Sequence, residues 1–225
     1  AMASALGLGL APTLAALQAG RTGLAPRDFQ TARIGTWLGV VDAVDGVRLA
    51  PELADHDCRN NRLAELGLRA DGFGEHVRRA ARHWGAARVG VFLGTSTSGI
   101  LQTELAYRHR DPATGALPAW LHYAETHNTY SVSRYVRAAL GLQGPAHVVS
   151  TACSSSAKVF AAAQRMIDLG IVDAAVVGGV DSLCMTTLYG FKSLELVSAD
   201  ICRPWDAHRN GLSLGEAAAF ALLER

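Results

Sequence analysis

Residues 146–180 read AHVVSTACSSSAKVFAAAQRMIDLGIVDAAVVGGV, and this stretch decides the fold. Ala146–Ala152 is apolar and rich in β-branched residues, as a buried strand requires. Ser154–Leu169 is rich in alanine and closes on Gly170, which is a helix with its stop signal. Ala174–Val180 is a continuous apolar run, expected of a strand covered on both faces. Strand, helix and strand at this spacing form a right-handed βαβ unit.

The flanks extend the pattern. Arg88–Leu93 reads as a buried strand leading into the loop Gly94-Thr95-Ser96-Thr97-Ser98-Gly99. Ala217–Leu223 reads as another buried strand. Helical patterns are expected over Thr13–Ala19, about Cys58–Leu66, about Gly72–Trp84, and residues 126–140. Residues 21–57 carry Pro26 and Pro51 and read as irregular. The whole is an α/β chain of 225 residues treated as one domain, 1–225, with no short repeat and no low-complexity linker.

Composition bounds the function. Charged residues make up 18% and hydrophobic residues 49%, so much of the surface is destined to be covered. The 21 basic and 20 acidic residues nearly cancel, which gives no bulk field for nucleic acid. Cysteines at 58, 153, 184 and 202 form no CxxC pair, against a zinc ribbon or a thioredoxin-type site. The apolar start lacks a basic region and is interrupted by Pro12, so it does not read as a signal sequence. No apolar run approaches a membrane span, and the expectation is a soluble, cytoplasmic protein.

Several motifs fail on inspection. Gly94 and Gly99 have P-loop spacing, but Ile100 and Leu101 stand where Lys and Ser/Thr are needed. No GxGxxG follows a strand, and Gly94-Thr-Ser96-Thr-Ser98 lacks the second glycine of a GxSxG elbow. His122 and His127 around Glu125 do not have zincin spacing and read as ordinary hydrogen-bonded histidines.

Cys153 remains, at the junction of strand and helix. The first N–H groups of a helix lack internal partners and favour negative charge. A thiol placed there has its pKa lowered, and the same N–H groups can hold an oxyanion. Ser154, Ser155, Ser156 and Ala157 are small and leave room for an acyl group. A cysteine beside a strand is also a common small buried hydrophobe. Residue chemistry alone leaves both readings open.

Thr151-Ala152-Cys153-Ser154-Ser155, preceded by Gly144-Pro145, resembles the nucleophile motif of the β-ketoacyl-ACP synthases, condensing enzymes of the thiolase-like fold. Gly178-Gly179 resembles that family's glycine pair. Cys202-Arg203-Pro204-Trp205-Asp206, Arg209-Asn210-Gly211 and Gly215-Glu216 resemble its RPFD, R-(D/N)-G and GEG segments. Ser4-Ala5-Leu6-Gly7 resembles the loop after the family's first strand. The motifs run in the family's order from residue 4 to 225. Ala217 and Leu212 depart from the common Gly and Phe.

The resemblance implies layered α-β-α architecture covering mainly the N-terminal half of a duplicated fold. It implies a 3-oxoacyl-carrier synthase that condenses a Cys153-bound acyl group with malonyl carrier and releases carbon dioxide, in fatty-acid or polyketide synthesis. Asn128-Thr129-Tyr130-Ser131-Val132-Ser133-Arg134 resembles a secondary branch, such as the synthases of aryl polyenes. Cys153 is then the nucleophile, with its own N–H in the oxyanion hole. Glu216 is a supporting acid and charge partner for a lysine, and Asp206 with Arg209 fixes a loop by a salt bridge. Arg59 and Arg62 align with residues that meet an acidic carrier protein, though a solvated helix face reads as well. No bound cofactor or metal is implied; phosphopantetheine arrives on the acyl carrier protein. The family's two histidines and lysine find no match, and its first strand is not recognised before Ser4. The sequence thus reads as the N-terminal half of an enzyme, trimmed at both ends. A homodimer, or a heterodimer with a related subunit, is expected through Ala146–Ala152. The competing readings are a non-catalytic chain-length partner and a generic α/β binding domain with a structural Cys153.

Overall fold

The computed structural model describes residues 1–225. In chain order its elements are β1 (Met2–Ser4), β2 (Gly7–Leu8), α1 (Leu10–Gln18), β3 (Ala25–Pro26), β4 (Trp37–Gly39), α2 (Arg59–Arg69), α3 (Phe73–Trp84), β5 (Val89–Gly94), α4 (Ile100–Arg108), α5 (Ser131–Ala139), β6 (Ala146–Val149), α6 (Ser155–Asp168), β7 (Ala174–Asp181), α7 (Met185–Ser193), β8 (Leu214–Gly215) and β9 (Ala217–Glu224). The main sheet has the order β2-β1-β9-β7-β5-β6. Its β7, β5 and β6 are parallel, while β9 runs antiparallel to β7 and β1. A small sheet, β3-β4-β8, lies beside it.

Alternation along the central strands sorts side chains between two cores. Val89, Val91 and Leu93 of β5 and Val176 of β7 join Leu63, Val77, Val132 and Tyr135 from α2, α3 and α5. Phe92, Ala175 and Val177 point to the other face and meet Val159, Ala163 and Ile167 of α6. Helices therefore cover both faces, giving the layered α-β-α arrangement and explaining why β5 and β7 read as unbroken apolar runs. A third cluster, with Leu38, Leu101, Leu183 and Leu188, joins the small sheet to α4 and α7.

Three expectations are corrected. The strand predicted over Ala146–Ala152 stops at Val149, because Ala152 turns to φ +52° and the Thr151 N–H is taken by the Ser155 hydroxyl at 2.9 Å. The helix predicted over 126–140 begins only at Ser131. Ahead of it, the carbonyls of Thr126 and Asn128 accept from the Ser98 hydroxyl, and the Asn128 side chain caps the Tyr130 N–H. A strand does precede Ala5: Met2–Ser4 pairs with Ala217–Ala219. It was too short to show a period in the sequence.

Candidate active site

The C-terminal ends of β5, β6 and β7 meet at one end of the sheet, where open parallel sheets place their ligands. The chain leaves β6 through Ser150–Ala152 and enters α6 at Ser155. Ala152 at φ +52° lies in the left-handed region, costly for a non-glycine residue. Side chains of the helix start hold the bend. The Ser154 hydroxyl donates to the Thr151 carbonyl at 2.9 Å, and the Ser155 hydroxyl donates to the Ala152 carbonyl at 2.6 Å. The serines that the sequence suggested as mere space are the fasteners of the elbow.

Cys153 sits at the crest of this elbow and is exposed. The N–H groups of Cys153, Ser154, Ser156 and Ala157 have no acceptor in the protein. Free donors at the helix start beside an accessible thiol can receive a developing oxyanion.

Glycines let the helix start approach the sheet. A Cβ on Gly94 would lie 2.5 Å from the Ser156 nitrogen, and one on Gly179 would lie 2.7 Å from the Ser156 Cβ. The first turn of α6 is therefore seated in a notch between the ends of β5 and β7. Gly178, at φ +152°, presses against the Ala219 carbonyl where no side chain fits. Beside the notch opens a cleft of about 840 Å³, to which Ser156, Gly179, Asp181 and Ala219 contribute.

The other cysteines contrast with Cys153. Burial pushes the Cys58 thiol up to about 12. Burial also raises the Cys184 thiol. Both side chains are enclosed, and Cys202 is partly enclosed.

Glu216 is fully buried, and its partner is Arg59 rather than a lysine. Its carboxylate accepts from Arg59 Nε at 2.8 Å and Nη2 at 2.6 Å, from Val41 N at 2.9 Å and from Leu183 N at 3.0 Å. Burial works against the Arg59 charge, yet Glu216 and Asp45 together hold its pKa above the ordinary value. Arg59 is 8% exposed, so it is neither a solvated helix face nor a surface for a carrier protein. Its helix buries that side because Glu216 needs the charge. Arg62 lies further out and grips Asp57 with two hydrogen bonds, keeping part of its guanidinium exposed.

Asp206 and Arg209 form no salt bridge. Arg209 Nη1 donates to the Asp206 main-chain carbonyl at 3.1 Å, and the Asp206 carboxylate is taken by the His208 N–H at 2.6 Å. An Asx-type turn two residues long captures the acid first. The histidines at 122 and 127 stand apart, one 3.5 Å from Asp55 and the other bonded to the Thr103 hydroxyl. The loop Gly94–Gly99, which failed as a phosphate loop, lies beside the elbow, and the Thr95 N–H bonds to the Val149 carbonyl.

Residues 68–225, more than half of the chain, match the family described as Beta-ketoacyl synthase, N-terminal domain. Nodulation protein E of Rhizobium meliloti is 33% identical over 140 residues, which is 62% of this chain and 34% of that protein. The 3-oxoacyl-[acyl-carrier-protein] synthase 2 of Rhizobium meliloti (strain 1021) is 40% identical over 91 residues, 37% of this chain and 22% of that protein. Among solved structures, the ketosynthase ApeO, in complex with its chain length factor ApeC from Xenorhabdus doucetiae, aligns with TM-score 0.84 and 33% identity. It covers 100% of this chain and 56% of the other. The chain thus spans about a third of the length of the first curated relative and just over half of this solved one. No helix is long and apolar enough to cross a membrane. The order of elements, the cysteine elbow on α6 and these matches agree, and the chain belongs to the beta-ketoacyl synthase family through that family's N-terminal domain.

Proposed function

We propose that this chain carries the nucleophile of a 3-oxoacyl-carrier synthase. One observation carries the reading: an exposed Cys153 on a strained elbow, at a helix start whose N–H donors are free. Cys153 Sγ attacks the carbonyl of an acyl thioester on a carrier's phosphopantetheine. The old C–S bond breaks, the carrier thiol leaves with a proton, and an acyl-Cys153 thioester remains. A malonyl thioester then loses carbon dioxide, and the resulting carbanion attacks the Cys153 thioester carbon. Cys153 departs as thiolate, and the product is a 3-oxoacyl thioester two carbons longer. The N–H of Cys153 stabilises the oxyanion in both attacks. No two histidines and a lysine stand in this chain in the pattern needed for decarboxylation, so that step falls to a further segment or subunit.

Partners follow from the same reading. β6 is the last strand of the sheet, and Pro145 and Val149 bond inward to β5. Alternation leaves the main-chain groups of Ala146, Val148 and Ser150 facing outward along an open edge. This edge pairs across a two-fold axis with a second copy or with a related subunit; the solved relative is in complex with its chain length factor. Of Arg59 and Arg62, Arg62 is the one with surface left for an acidic carrier. A non-catalytic chain-length role is disfavoured by the intact cysteine elbow.

The test is intact-mass measurement after incubation with an acyl carrier protein loaded with acyl-phosphopantetheine. An acyl adduct on Cys153, absent in Cys153→Ala, supports the proposal, and an unmodified chain overturns it. Light scattering at micromolar concentration checks the pairing: a stable monomer, alone and when co-expressed with a related subunit, overturns that part.

A further inference from the structure

The end of β7 holds a carboxylate that nothing above uses. Asp181 places a single oxygen, Oδ1, against four donors of the turn leaving β5. They are the Thr95 hydroxyl at 3.1 Å, Ser96 N at 2.6 Å, Thr97 N at 2.8 Å and the Thr97 hydroxyl at 2.9 Å. The clamp continues inward, since the Thr97 hydroxyl accepts from Ser182 N at 3.1 Å and Ser182 N also bonds to Asn60 Oδ1. The two strand ends joined in this way are the walls of the notch that seats the first turn of α6, with Gly94 on one side and Gly179 on the other. Asp181 and Ser156 border the same cleft.

We infer that Asp181 is a positioning residue for the nucleophile. It fixes the width of the notch, and thereby the direction of the free N–H groups around Cys153. The inference rests on the reading of Cys153 as the nucleophile. A charge-assisted acceptor for four donors is well suited to the task, because such bonds are shorter and stronger than neutral ones. The mechanical role and a plain electrostatic role have opposite signs. A carboxylate near a thiol opposes the thiolate, so removing only its charge would speed the thiol's reactions. Loosening the notch would slow them.

The experiment follows alkylation of the native full chain by iodoacetamide, with peptide mass resolving each cysteine and Cys202 as internal reference. Titratable or charged side chains on the elements meeting at the notch are Lys158, Arg165 and Asp168 on α6, His147 on β6 and Asp181 itself, and all but the last are kept. Asp181→Ala is expected to slow Cys153 labelling at pH 7 about fivefold, the size of a helix-terminus interaction. Asp181→Asn keeps an acceptor at the Oδ1 position and is expected to recover the rate to within about twofold of the parent. Thr97→Val removes one donor and should give a slowing of the same sign, which covers the case that Asp181→Ala does not fold. Parent-like labelling in Asp181→Ala, labelling in Asp181→Asn faster than the parent, or, where Asp181→Ala does not fold, parent-like labelling in Thr97→Val overturns the inference. Failure of the parent to accept an acyl group would break the proposed function and leave this labelling result standing.

Discussion

Three helices of this protein begin beside a cysteine, α2, α6 and α7, and the starts of α2 and α6 behave oppositely. At the start of α2, Cys58 is the capping residue and is buried, and burial pushes its thiol up to about 12. The neighbouring side chains of Arg59 and Asn60 bond inward, to Glu216 and to Ser182. At the start of α6, Cys153 is exposed, and the N–H groups around it are unspent. A helix N-terminus supplies the same field in both places. What separates the two thiols is whether protein or solvent surrounds them, and the left-handed turn at Ala152 is what lifts Cys153 out.

The largest expected effect falls on acylation. Cys153→Ala abolishes the acyl adduct seen by intact mass, whereas Cys58→Ala keeps it. Cys58 in the native chain labels with iodoacetamide only as fast as the chain unfolds. An acyl adduct on Cys58 would break the comparison.

Stability should respond next, at the buried start. Glu216→Ala leaves the Arg59 guanidinium enclosed with only the exposed Asp45 as counter-charge. Loss of one partner of a buried pair costs about 3 kcal/mol, measured by urea unfolding. The exposed start is tested by Gly94→Ala. Its new Cβ would meet the Ser156 nitrogen at 2.5 Å, costing about 1–3 kcal/mol and slowing Cys153 labelling, while Cys58 stays silent.

The smallest effect is a pH slope. His56, two residues before Cys58, bonds the Glu125 carbonyl, and burial, with help from Arg134, lowers its pKa from the ordinary 6.5. Its folded form resists the proton that the unfolded chain accepts. Stability is therefore fully present above about pH 6.5 and declines as pH falls through that value toward the folded pKa. His127 is lowered by burial as well and adds to the slope. His56→Gln should flatten, without abolishing, the fall in Tm between pH 7 and 5.

The sequence made the βαβ unit and the place of Cys153 between strand and helix readable because both are local. Apolar runs with a helix between them show their period within a few residues, and the cysteine stands at the switch from one period to the other. Long-range pairing was not readable. Nothing near Glu216 announces that its partner is Arg59, 157 positions away. Nothing near Asp181 announces the turn at residues 95–97. The end of β6 was misplaced for a related reason: Ser150, Thr151 and Ala152 suit a strand, and only hydrogen bonds from Ser154 and Ser155 bend them away. Arg59 read as a surface charge because periodicity marks charged residues as outward, and a buried counter-ion leaves no trace in it.

The position of β9 between β1 and β7 has a bearing on how the chain is made. β1 has only β2 and β9 as neighbours, and the Ala1 nitrogen donates to the carbonyl of Phe220, 219 positions later. A ribosome adding about 5–20 residues each second leaves that first strand without its main pairing edge for roughly ten to forty seconds. During that interval Met2–Ser4 and the apolar side of β7 lie open to chaperones or to neighbouring nascent chains. The β1–β7 gap closes only when β9 slides between two strands that were synthesised long before.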